Sequence, residues 1–260
     1  MTETVAMPSE SVFAGRWVVV SGASAGIGRA VCDELAGQGA NLVLIGRNEA
    51  RLRETVEQLP SNVRTAVCAF DLAQLDGIWP AIQAVTRDVG RLYGLVHAAG
   101  VLSLLPLAAS KPERLQALMN INFFAGMELS RALVRREVLD EAGGSIVWLS
   151  SVAAHVGLPG QIGYCASKGA IKAAVRAMAL ELAERKVRVN AISPGLVDTT
   201  MTQRAAASVG AAGWQRLLDM HPLGLGSPAD VARAVAFLLE PRNRWITGTD
   251  LVIDGGYTLH

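Results

Sequence analysis

Residues 17–28 read Trp17-Val18-Val19-Val20-Ser21-Gly22-Ala23-Ser24-Ala25-Gly26-Ile27-Gly28. A short apolar run of strand length meets a turn whose glycines are spaced G-x-x-x-G-x-G. A helix follows, because Ile27, Ala30, Val31, Leu35 and Ala36 recur at helical spacing, and Gly39 stops it. Strand, glycine turn and helix in that order form a cradle for a pyrophosphate. Glycine permits the tight bend and lets main chain approach the phosphates, and the helix N-terminus faces them. A merely glycine-rich loop has no reason to join a strand to a helix. Gly22, Ser24, Gly26, Ile27 and Gly28 are therefore the first candidate cofactor contacts.

Further strands are expected at 41–45, 65–70, 95–97, 145–149, 187–192 and 250–253. Helices are expected at 49–59, 75–89, 111–136, 164–184 and 228–239, the last with Ser227 as its cap and Pro228 at its first position. The strands are apolar along their whole length rather than alternating, which marks a parallel sheet covered on both faces. The expected fold is α/β: a Rossmann-type, doubly wound parallel sheet of about seven strands with helices on both faces, one domain over residues 1–260. Residues 1–13 read as a flexible lead-in. Residues 199–225 read as irregular, with some helix around 214–220, and are expected to form a lid over a substrate.

The chain has 260 residues, 51% of them hydrophobic and only 5% aromatic, with 26 Gly and 40 Ala. Its formal charge of +1 gives no global attraction to nucleic acid or to an anionic membrane. Two runs lack Asp, Glu, Lys and Arg altogether: the 19 residues between Arg91 and Lys111, and the 26 between Glu141 and Lys168. Such lengths can span a bilayer, but Gly, Pro and His interrupt both runs and would free polar backbone in lipid. Buried structure of a water-soluble domain is the expectation. Cys32, Cys68 and Cys165 show neither metal spacing nor a disulfide framework. The first ten residues lack the basic start and apolar stretch of a secretory signal. A cytoplasmic setting and no metal site are expected.

The chemistry concentrates where the long charge-free run ends. Tyr164 and Lys168 stand four apart at the start of a helix, so phenol and ammonium share one face. A neighbouring cation is expected to lower the tyrosine pKa and make it a usable general acid for a ketone becoming an alcohol. Ser151 follows the apolar strand 146–149 and so lies at a strand C-terminal end, the edge where open α/β sheets place ligands. At the end of the second strand, Gly46 takes the place of an acidic partner for a ribose hydroxyl, and Arg47 follows. A guanidinium suits a 2′-phosphate through two bonds, which favours NADP(H), with NAD(H) as the alternative.

Together these residues resemble the short-chain dehydrogenase/reductase family, in its single-domain branch, from Ala14 to Tyr257. The similarity includes the 3-oxoacyl-[acyl-carrier-protein] reductases. Ser21 stands where that family usually has Thr, and His97-Ala98-Ala99-Gly100 where Asn-Asn-Ala-Gly is usual. Asp71 and Leu72 resemble its adenine-contacting positions, and Ala99 and Gly100 its cofactor wall. Pro194, Gly195, Val197 and Thr199 resemble the segment that holds the nicotinamide amide. Tyr164 and Lys168 also count among the cofactor contacts. Asn122, Ser151, Tyr164 and Lys168 match the catalytic positions, with Asn122 preferred to Asn120 on register. The resemblance implies that Tyr164 donates the proton, Ser151 holds the carbonyl oxygen, Lys168 binds ribose and tunes Tyr164, and Asn122 supports a proton-replacing water chain. Ala25 departs from the basic residue of many NADPH-preferring members, which leaves Arg47 to carry the selectivity.

The expected function is an NADPH-dependent carbonyl reductase or alcohol dehydrogenase for a small molecule, led by a 3-oxoacyl thioester on carrier protein or coenzyme A. A dehydrogenase of a free secondary alcohol, sugar or steroid is the alternative, and a non-catalytic cofactor-binding regulator a third. Arg135, Arg136, Arg185 and Lys186 read as solvated, with docking of an acidic carrier as the rival reading. His97 and Trp148 read as structural, and His155 and Gln161 as flanking the substrate. By resemblance the chain assembles as a homotetramer or a dimer.

Overall fold

The computed structural model describes residues 11–259. Seven parallel strands form one sheet: β1 Trp17–Ser21, β2 Asn41–Gly46, β3 Thr65–Ala69, β4 Gly94–His97, β5 Gly144–Leu149, β6 Val187–Pro194 and β7 Asp250–Ile253. Their spatial order is β3-β2-β1-β4-β5-β6-β7. The order reverses between β1 and β4, whose register pairs Val20 with Val96 and Ser21 with His97. A crevice opens above the strand C-termini at such a switch point. The expected single α/β domain with a doubly wound sheet is what the chain adopts.

The helices are α1 Gly26–Gly37, α2 Glu49–Glu57, α3 Ile78–Val89, α4 Pro112–Met119, α5 Ala125–Leu133, α6 Ile162–Leu182, α7 Thr200–Asp219 and α8 Pro228–Leu239. Val31 and Leu35 of α1, Leu52 of α2, and Val231 and Val235 of α8 pack with Val18, Val20, Leu42 and Leu44 on one face. Ile78 and Ile82 of α3, Leu129 and Leu133 of α5, and Ile171 and Val175 of α6 pack with Val19, Val43, Ile146 and Val189 on the other. Alternate strand residues thus serve opposite faces, and both are apolar because both are covered. Trp148 is fully buried, and its indole N–H donates to Ser130 Oγ at 3.2 Å. Its core assignment is borne out.

Three expectations change. The helix expected over 111–136 is two, α4 and α5, joined by a π-helical turn over Asn120–Phe124. The region expected to be irregular over 199–225 is mostly α7, two helical stretches broken at Gly210, where φ is 70° and ψ 167°. Thr199 caps it by accepting from Thr202 N–H at 3.2 Å. In the expected lead-in, residues 1–10 lie outside the described residues, whereas Phe13 is fully buried and its N–H donates to Gln38 O at 3.1 Å. Residues 11–13 belong to the packed domain. Among the described residues, no helix is long and apolar enough to cross a membrane and no cluster of side chains suits a metal ion.

Candidate active site

The glycine turn folds as its spacing implies. Gly22 has φ 71°, a left-handed conformation, and a Cβ there would lie 2.8 Å from Ala99 N. A Cβ on Gly28 would collide with Gly22 O. The two glycines let the turn close on itself and on the β4 end, so a bulkier residue at either position would push the turn out of shape. A cavity of about 280 Å³ lies against the turn, lined by Gly22, Ser24, Gly26, Ile27, Gly28, Arg47, Asp71, Leu72, Ala99, Gly100 and Thr199. It shares Ile27, Gly100 and Thr199 with a second cavity of about 120 Å³, lined also by Ser151, Tyr164, Lys168, Pro194, Gly195 and Val197. All sixteen sequence-derived cofactor residues therefore line one continuous cleft. A helix N-terminus, a glycine cradle and a cation at one end fit an extended, doubly phosphorylated dinucleotide.

At the inner end, Ser151, Tyr164 and Lys168 converge from the end of β5 and the first two turns of α6. Ser151 Oγ accepts from Ala153 N–H at 3.2 Å, which fixes the rotamer that presents the hydroxyl. Tyr164 lines the same inner cavity as Ser151, whose hydroxyl opposes the rise of the phenol's pKa. Lys168, 4% exposed, donates from Nζ to Leu149 O at 2.6 Å and lies 5.6 Å from the Tyr164 ring centre. Ser150, which sequence reasoning passed over, is buried and donates to Lys168 O at 3.2 Å, tying α6 to the β5 end.

The electrostatics correct one expectation. Tyr164 is not lowered: burial raises its pKa, and the Ser151 hydroxyl opposes this only in part. Burial also pulls Lys168 down, to about 8. Desolvation disfavours phenolate and ammonium alike, and it is the largest cause of both shifts. Tyr164 is consequently held as a phenol at neutral pH.

Asn122 lies behind the cleft rather than in its lining. It is fully buried in the π-helical turn; Oδ1 accepts from Val101 N–H at 2.8 Å, and Nδ2 donates to Val101 O and Ser167 Oγ, both at 3.0 Å. It pins the loop after β4 against α6. Asn120 instead accepts from Gln116 at 2.8 Å in an exposed pair, so the preferred register is the one that faces inward. His97 is structural, and the reason is a relay. Nε2–H donates to Ile121 O at 3.2 Å, which leaves Nδ1 to accept from Ser21 Oγ at 2.9 Å, and Ser21 Oγ in turn accepts from Ala99 N–H at 3.2 Å. The two departures from the family pattern, Ser21 and His97, are therefore bonded to each other. Burial, then the Lys168 charge, lowers His97 to about 4 and keeps it neutral.

His155 is exposed and lines neither cavity, so of its two expected settings it takes the solvent-facing one. Its Nε2 lies 2.9 Å from Asp250 Oδ2 and 3.2 Å from Ser193 Oγ, and Lys172 Nζ lies 3.0 Å from Nδ1. Arg136, Arg185 and Lys186 gather with Arg91, Glu141 and Glu184 at the N-terminal strand edge, and Arg135 stacks on Trp79 at 3.7 Å. The eight residues of β6 put this cluster about 25 Å from the cleft.

Comparison with known proteins agrees with this geometry. Residues 22–258 match a family model described as enoyl-(acyl carrier protein) reductase. The chain is 35% identical to bovine (Bos taurus) L-xylulose reductase, covering 94% of this chain and 97% of that one. It is also 35% identical to human (Homo sapiens) 3-oxoacyl-[acyl-carrier-protein] reductase, covering 92% and 97%. A crystal structure of a dehydrogenase/reductase from Sinorhizobium meliloti 1021 superposes with TM-score 0.87 at 30% identity, covering 96% and 98%. With the cleft, the Ser–Tyr–Lys convergence and matches over nearly the whole length, the chain belongs to the short-chain dehydrogenase/reductase family of oxidoreductases acting on CH–OH and C=O groups.

Proposed function

We propose that this chain is an NADPH-dependent carbonyl reductase whose substrate presents an uncharged ketone to Ser151 and Tyr164. The observation that carries the reading is the inner cavity, where the Ser151 hydroxyl, the Tyr164 phenol and the Lys168 ammonium meet in a lining otherwise made of small, apolar and hydroxyl side chains, with no carboxylate among them. When bound, the dinucleotide supplies the hydride that reaches the carbonyl carbon. Every other task falls to the chain. The Ser151 hydroxyl donates to the carbonyl oxygen and orients it. The Tyr164 phenol gives its proton to that oxygen as negative charge develops there, a role suited to a group that burial keeps protonated. Lys168 brings positive charge to the ribose side of the cleft. Asn122, through its hold on Val101 and Ser167, shapes the path by which the proton is replaced.

Arg47 supports the choice of NADPH. It lines the outer cavity beside Gly46, where a carboxylate would otherwise meet the ribose, and its guanidinium would meet a 2′-phosphate. Gly22, Ser24, Gly26, Ile27 and Gly28 would hold the pyrophosphate, Asp71 and Leu72 the adenine, and Pro194, Gly195, Val197 and Thr199 the carboxamide. A 3-oxoacyl thioester is the leading substrate, from the likeness to the 3-oxoacyl reductases. A free secondary alcohol or sugar is the second reading, favoured by one observation: the basic residues that would suit an acidic carrier are mixed with Asp140, Glu141 and Glu184 and lie at the edge away from the cleft. A panel of acyl thioesters, ketones and sugars, followed at the nicotinamide absorbance, tests this. Turnover of at least one ketone with NADPH is expected, and no turnover across the panel would overturn the proposal. For assembly, the family's paired helices correspond to α4–α5 and α6. Small residues (Ala170, Ala173, Ala174) on α6 and a Leu180 side chain 83% exposed suit a homotetramer, and a monomer by light scattering would contradict it.

A further inference from the structure

The geometry points to His221 as the residue that positions the nicotinamide-facing main chain, by accepting a hydrogen bond from Leu196 N–H with its unprotonated Nε2. This inference rests on the dinucleotide reading above.

His221 follows the last turn of α7 and is 6% exposed. Its Nδ1 lies 2.7 Å from Leu217 O, and a carbonyl can only accept, so Nδ1 carries the proton. Nε2 is then an acceptor, and Leu196 N–H donates to it at 3.1 Å. The ring stacks on Tyr257, with centroids 4.7 Å apart and planes 19° from parallel, which removes its rotational freedom. Gly195 passes so close that a Cβ there would lie 3.0 Å from Nε2.

The rest of the segment is held by backbone alone. Gly195 N–H donates to Ile253 O at 2.9 Å, and Leu196 O accepts from Gly226 N–H at 3.0 Å. Leu196 N–H is the point where a side chain takes over. On either side of it, Gly195 and Val197 line the inner cavity. Leu217 lies in the second stretch of α7, beyond the Gly210 break, and the first stretch carries Met201 and Thr202 into the same cavity. One imidazole therefore ties the α7 C-terminus to the strip of backbone that meets the reacting half of the cofactor. It touches neither the adenine half of the cleft nor the reacting atoms, so it is a positioning residue.

The test separates the two halves of the ligand. His221→Asn keeps an amide that can donate to Leu217 O but is too short to reach Leu196. His221→Gln places a carboxamide oxygen where Nε2 was. Affinity for intact NADP⁺ and for adenosine 2′,5′-bisphosphate, which lacks the nicotinamide half, is measured by calorimetry on wild type and both variants. Loss of one main-chain bond predicts about a tenfold weaker NADP⁺ affinity in His221→Asn, with bisphosphate affinity unchanged and His221→Gln within about threefold of wild type. Equal losses for both ligands, no loss for either, or a glutamine variant no better than the asparagine one would overturn the inference. A wild type that binds the bisphosphate and NADP⁺, with variants that behave like it, refutes this inference alone. A wild type that binds neither refutes the dinucleotide reading and this inference with it. Histidine ¹⁵N NMR of the wild type, which needs no variant, is expected to show His221 protonated at Nδ1 at neutral pH. Protonation at Nε2 would overturn the assignment.

Discussion

Replacing Lys168 by Met should stabilise the ligand-free protein near neutral pH while abolishing its chemistry. Lys168 is 4% exposed, its ammonium donates to Leu149 O, and no carboxylate among the described residues pairs with it. Burial lowers its pKa from the usual 10.5 to about 8. The unfolded chain therefore keeps this proton up to about pH 10.5, and the folded chain only up to about 8. Between those values the unfolded state binds more protons, so stability rises with pH. Below pH 8 the folded state bears the full cost of a buried ammonium, about 3 kcal/mol for a shift of this size. By pH 10 about 1 kcal/mol of that cost remains, so the gap between variant and wild type should shrink by about 2 kcal/mol from pH 7 to pH 10. Losing the bond to Leu149 O offsets part of the gain at every pH but leaves the slope intact. Urea unfolding of both proteins at fixed protein concentration, at pH 7, 8, 9 and 10, measures the difference. A gap that is constant with pH, or one that widens as pH rises, would refute the claim that this lysine is buried without compensation.

Other outcomes follow from the same geometry. His97, lowered to about 4, must be charged in the unfolded chain below its usual 6.5, so wild type should lose about 2 kcal/mol between pH 8 and pH 5 that His97→Asn does not, as urea titrations would show. Arg47→Asp should cut the preference for NADPH over NADH by roughly 10- to 100-fold, the worth of a charged bond to a phosphate, and a wild type that binds NADH better refutes the assignment. Trp148→Ala, which empties a fully buried site and strands Ser130, should cost about 3–5 kcal/mol, read from the shift of the urea midpoint.

How far the sequence reached depended on what kind of physics decided each feature. The sheet was legible because a strand covered on both faces must be apolar throughout, as β1 and β2 are, and because Gly22 and Gly28 mark a turn no other residue would tolerate. α7 was not legible as a helix. Its sequence has no continuous apolar stripe and contains Gly210 and Gly213; alanine propensity and the Thr199 cap sustain it instead, and that cap was the signal available. The π-helical turn that aims Asn122 inward leaves no periodic trace, since one displaced hydrogen-bond register resembles ordinary helix in composition. The residues of the cleft were readable from motifs, but the protonation of Tyr164 was not. Spacing shows that a cation is near, whereas the raised pKa comes from water excluded by the surrounding structure. His155 and His221 show the same limit: their partners Asp250, Ser193, Leu196 and Leu217 lie on other elements or across a turn, and only the fold brings them together.

The central proposal is that the Tyr164 hydroxyl delivers the proton, in a cleft whose other residues supply most of the hold on NADPH. Single-turnover reduction by enzyme pre-loaded with NADPH, comparing wild type with Tyr164→Phe on the best ketone of the panel, tests this most directly. The expected result is a rate lowered by about a thousandfold with NADPH affinity within about threefold of wild type. A phenylalanine variant that reduces the ketone at close to the wild-type rate would contradict the account.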